Sequence, residues 1–88
     1  YDKYQGVEEM LPYAKGISAK SIRFDDQGEE TNTNFERMIK LIKASSFEGY
    51  MSIEYEGALM LMFGQNPSDY LAPTEGIRAT KKLIEKYL

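Results

Sequence analysis

The 88-residue sequence contains no histidine and no cysteine, so chemistry here must proceed without the two side chains that most often carry it. A Ser-His-Asp triad cannot be assembled from these residues, and thiolate nucleophiles, zinc ribbons, iron–sulfur sites and disulfides are excluded with the cysteines. Acid–base or metal chemistry is left to carboxylates, lysine and tyrosine. Four charged residues stand at the ends of strand-like runs: Lys20 in Ile17-Ser18-Ala19-Lys20-Ser21, Asp25 after Phe24, Glu54 after Ser52-Ile53, and Glu56 two residues further on. If the second strand continued, Glu54 and Glu56 would point the same way. The plainer alternatives are a structural salt bridge for Glu54, a solvated or ion-paired Lys20, and ordinary loop carboxylates for Asp25 and Glu56.

The charge balance narrows the partners. Lys and Arg number 11 against 14 Asp and Glu, a net charge of −3, which argues against nucleic acid because phosphate-backbone binding relies on clustered cations. The longest apolar run, Ala58–Phe63, has six residues where a membrane span needs roughly 20, so no membrane partner is expected. The chain opens on Tyr rather than Met, without a basic and apolar leader, which reads as a processed or truncated start with any targeting segment upstream. The cytoplasm is the expected location.

Elements able to position the charged residues follow from periodicity. Val7, Met10, Leu11 and Ala14 fall on one stripe of a helix spanning residues 4–15, which Pro12 kinks or stops early and Gly16 terminates. Residues 17–24 alternate imperfectly, with Ile17, Ala19, Ile22 and Phe24 apolar and a break at Lys20-Ser21, as a short strand running into a polar loop over 25–34. Thr33 and Glu36 have capping-box spacing, opening a helix with Phe35, Met38, Ile39 and Ile42 on its core face. Residues 50–55 form a second strand between Gly49 and Gly57. Residues 56–73 read as a long loop with at most a helical turn, and Thr74 caps a final helix carrying Ile77, Thr80, Ile84 and Leu88 on one face, with Leu83 and Tyr87 beside it. Two strands joined by a helical crossover should be parallel, making one partial α/β domain over residues 1–88 with open sheet edges.

Three segments, Ile17–Ser21 with Phe24-Asp25, Gly49–Gly57 and Glu75–Leu83, together resemble the C-terminal end of the sugar phosphate isomerase/epimerase family, which has a xylose-isomerase-like TIM barrel. The resemblance covers nearly the whole chain. It implies that Ile17–Ser21 and Tyr50–Tyr55 are the seventh and eighth strands of a (β/α)8 barrel, of which the chain is a fragment, since a complete barrel needs about 250 residues. It also implies a carbohydrate substrate and proton transfer assisted by a divalent metal (Mn, Mg, Co or Zn), with Glu54 in the place of the family's last metal-binding carboxylate and serving catalysis. Lys20 matches the lysine of a His-x-Lys pattern in the seventh strand, but Ser18 stands where relatives carry the histidine. Lys20, Asp25 and Glu56 are then the candidate substrate-binding residues, with Asp25 orienting Lys20. Met and Phe of the 58–63 run could cover a sugar face. The fragment alone is expected to be inactive and to associate with the rest of its barrel or with another copy. A barrel that has lost its metal site and only binds sugar is the competing reading.

Overall fold

The computed structural model describes residues 2–88. Asp2 opens helix α1 (Lys3–Met10) by accepting the amides of Tyr4 and Gln5, the service short polar side chains give a helix start. Pro12 ends it, and the chain tightens into a 3-10 turn over Leu11–Tyr13. Gly16 therefore has no helix left to terminate. It is the first residue of strand β1 (Gly16–Ser21), where a Cβ would stand 2.7 Å from Tyr50 Cε2.

The expected break at Lys20-Ser21 does not occur. Strand β1 pairs in parallel with β2 (Tyr50–Tyr55), in a register running from Gly16↔Tyr50 to Lys20↔Glu54 and Ser21↔Tyr55. Ser21 is only 1 % exposed, and its hydroxyl lies 2.6 Å from that of Thr80, so a polar residue on the inner face is satisfied without leaving the strand.

Helix α2 (Phe35–Ala44) is capped by Asn34, whose Oδ1 accepts the Arg37 amide at 3.0 Å, rather than by Thr33. The shift of one residue releases the expected capping-box partners to other work. Thr33 Oγ1 accepts from Lys3 Nζ at 2.9 Å, and Glu36 pairs with Lys40 at 3.1 Å. Phe35 and Ile39 are buried and Met38 and Ile42 half-buried, as their spacing predicts.

The segment after β2 differs most from expectation. Residues Gly57–Met62 form helix α3, and Pro67–Asp69 form a 3-10 turn. Ala, Leu and Met are strong helix formers, but the helix leaves Leu59, Met62 and Phe63 exposed, so the sequence carries no amphipathic period to announce it. Helix α4 (Pro73–Tyr87) begins one residue before Thr74, with Pro73 in its first turn and no side-chain cap from Ala72. Its buried face is Gly76, Thr80, Leu83 and Ile84, while Ile77 and Leu88 are exposed. Small residues set that rotation. Gly76 lets the helix approach so closely that a Cβ there would overlap the Tyr55 ring, and Thr80 donates to the Gly76 carbonyl at 2.8 Å.

Among the described residues the architecture is mixed α/β, with four α-helices and two parallel strands in one sheet. The core gathers Ala19 from β1, Phe35 and Ile39 from α2, and Leu83 and Ile84 from α4, with Met51 and Ile53 of β2 packed against them. Both helices thus lie on one face of the sheet. The opposite face, carrying Ser18, Lys20, Ser52 and Glu54, is exposed. Among the described residues no helix is long and apolar enough to cross a membrane.

Candidate functional site

Alternation along the two strands sends Ala19, Ser21, Met51, Ile53 and Tyr55 toward the helices and Ser18, Lys20, Ser52 and Glu54 to the bare face. The parallel register then puts like beside like. Ser18 faces Ser52, with hydroxyl oxygens 3.3 Å apart, and Ser18 donates to Glu54 Oε1 at 3.4 Å. One step toward the C-terminal end of the strands, Lys20 faces Glu54, with Nζ 3.9 Å from Oε2.

Glu56 joins this group by a different route. Its amide donates to the Ser21 carbonyl at 2.7 Å, extending the strand pairing by one bond, and its own backbone then turns helical (φ −100°, ψ −2°) ahead of α3. The Glu56 side chain lies 3.6 Å from Lys20 Nζ. Lys20 is therefore bracketed by two carboxylates, although sequence reasoning separated Glu54 from Glu56 by assigning the latter to a loop. The side chains are 61 %, 48 % and 35 % exposed for Lys20, Glu54 and Glu56. Ion pairs this open contribute at most about 1 kcal/mol to folding, so the group remains free to exchange its partners for a ligand.

Asp25 lies apart from this group. Its Oδ1 accepts the amides of Gln27 and Glu29, each at 2.9 Å, closing a turn in which Gly28 takes φ +80°. The nearby cation Arg23 pairs with Asp69 at 3.6 Å, joining the loop after β1 to the turn that precedes α4.

Two arrangements escaped the sequence reading. Glu30 is 7 % exposed and accepts four backbone amides at 2.5–3.3 Å, from Ile22 and Arg23 on one oxygen and from Asn32 and Thr33 on the other. It fixes the whole loop between β1 and α2, yet in sequence it is one acidic residue in a polar tract. Glu29 meanwhile accepts from Lys86 Nζ at 2.8 Å and from the Tyr87 hydroxyl at 2.9 Å. The Glu29 carboxylate holds the Lys86 ammonium and the Tyr87 phenol above their ordinary pKa values. Burial pushes the Tyr55 phenol up as well; its hydroxyl donates to the Leu71 carbonyl at 2.6 Å.

Among the described residues no group of three or more acidic side chains is placed to hold a metal ion, and there is no His or Cys to add. At the bare face the donor set is two carboxylates with an ammonium 3.9 and 3.6 Å from them, a positive charge that opposes a metal ion there. These residues do not by themselves fit a divalent metal centre. What they offer is hydrogen bonding: two hydroxyls able to donate or accept, two acceptor carboxylates and a three-donor ammonium. The chain matches no protein-family model and no curated protein.

Proposed function

We propose that this chain is the C-terminal portion of a carbohydrate-isomerising or carbohydrate-epimerising (β/α)8 barrel, and that the bare sheet face is its share of the sugar site. The observation that carries this reading is the one-sided sheet. Open parallel sheets ordinarily bury both faces under helices, whereas a barrel keeps helices outside and turns the other face inward, with its active site at the C-terminal strand ends. Here α2 and α4 cover one face, and the polar group sits at the C-terminal end of the other. An apolar groove of about 170 Å³ along β1, lined by Val7 of α1, Ile17, Phe35, Met38 and Met51 among others, suits side chains of a preceding strand.

In this reading Ser18, Ser52 and Glu56 hold sugar hydroxyls. Glu54 takes a proton from the carbon beside the carbonyl and returns it to the neighbouring carbon, the hydroxyl proton passing from one oxygen to the other, while the Lys20 ammonium steadies the negative charge that develops on oxygen; epimerisation would take its proton on the opposite face from an acid of the rest of the barrel. The test is solvent deuterium incorporation into a panel of free sugars by the full polypeptide. Glu54→Gln should lower exchange by about 10²-fold or more while sugar binding persists. The serine at position 18 and the partnered lysine favour a second reading, a barrel that binds sugar without turning it over; binding with no deuterium exchange in the unaltered protein would establish it. Loss of neither exchange nor binding in Glu54→Gln and Lys20→Met would refute both.

A further inference from the structure

We infer that Lys20 is a tethered cation that takes the place of a divalent metal at this end of the sheet, so that Glu54 and Glu56 bind metal only when the ammonium is removed. The inference concerns the same face as the proposed function but does not depend on the ligand being a sugar. It starts from register. Lys20 is the direct partner of Glu54 in the parallel ladder, so the register keeps its side chain within reach of the carboxylate. The ladder bond from Glu56 to Ser21 then delivers a second carboxylate to the same nitrogen. The ammonium stands 3.9 Å from one carboxylate and 3.6 Å from the other.

Two carboxylates that converge on one point attract a hard dication through oxygen, and the charge already at that point opposes it. A unit charge about 4 Å from a divalent ion in water weakens binding on the order of tenfold, less at high salt. Among the described residues of this face, Ser18 and Ser52 are neutral and add no negative charge to offset this, and the nearby cation Arg23 is engaged by Asp69. The site therefore carries its positive charge covalently, and its Lewis-acid position is filled by a hydrogen-bond donor.

Mn2+ alone, with no sugar present, is the probe, read by paramagnetic broadening of backbone signals at low salt. The unaltered chain should show no selective broadening at Glu54 and Glu56. Lys20→Met should gain it, with affinity raised on the order of tenfold, and Lys20→Met combined with Glu54→Gln should lose the gain. Lys20→Arg keeps the charge and should behave as the unaltered chain, which separates charge from packing. Equal Mn2+ binding at these two residues with and without Lys20, or no gain in Lys20→Met, overturns the inference. So does a gain in Lys20→Arg equal to that in Lys20→Met. Sugar binding is measured separately, so failure of the proposed function leaves this result standing.

Discussion

Glu30 illustrates how much a single carboxylate can organise. Four amides from both ends of a loop converge on its two oxygens, giving part-buried backbone donors a charged acceptor inside the protein. Replacing one oxygen by an amide nitrogen turns an acceptor into a donor facing two N–H groups. Glu30→Gln should therefore cost about 2–3 kcal/mol, read as a lower urea midpoint with an unchanged slope, whereas Glu36→Gln on the exposed face of α2 should cost under about 0.5 kcal/mol. The contrast with Lys20 is instructive. Both residues meet opposite charge or dipole, but Glu30 is enclosed and makes structure, while Lys20 is open and leaves its partners accessible. Sequence distinguished neither case, because the four amides on Glu30 come together only once the loop has folded back on itself, and the partners of Lys20 are set by strand pairing.

Periodicity located the elements better than it located their faces. Strands β1 and β2 and helix α2 lie where alternation and helical spacing put them, because each buries a regular stripe against one core. The buried face of α4 was misread through Ile77: apolar character suggested core, but contact was decided by the small residues Gly76 and Thr80. Gly76 allows the helix to rest on Tyr55, whose hydroxyl end is also closely approached by Gly57. Alanine in place of Gly76 gains about 1 kcal/mol of helix propensity but forces the ring or helix aside, which costs about 1–3 kcal/mol. Gly76→Ala should thus be destabilising by about 1 kcal/mol in thermal melts. In a Tyr55→Ala background the same change should become neutral or stabilising, since the overlap is gone. Helix α3 stayed hidden for the opposite reason, having strong helix formers but no face to bury. Of the candidate site, the strand-end residues were legible as positions. That Lys20 would stand between both glutamates was not, because it depends on the register of two strands separated by 28 residues.

Across the whole molecule, the C-terminal helix is fastened back to the loop after β1 by Lys86 and Tyr87 on Glu29. The ordinary pKa values are 10.5 for Lys86 and 10.0 for Tyr87, and both are raised in the fold. A group that holds its proton more tightly when folded stabilises fully below its unfolded pKa and loses that contribution as pH rises through the folded one. Tyr55 acts in the same direction. Melting temperature should therefore fall from about pH 9 to about pH 11, and fall less steeply in Glu29→Gln, which removes the leading cause of two of the three shifts; equal slopes would dissociate the fastening from alkaline stability. The other end of the chain is attached differently. No residue of α1 is buried, and it is clipped to the start of α2 by Lys3 on Thr33 and by the Tyr4 hydroxyl accepting the Asn34 amide at 2.9 Å. Hydrogen exchange should accordingly show two clocks: the amides of α1 are expected to open with local detachment of that helix, and the hydrogen-bonded amides of α2, α4 and the β1–β2 ladder on a far slower beat.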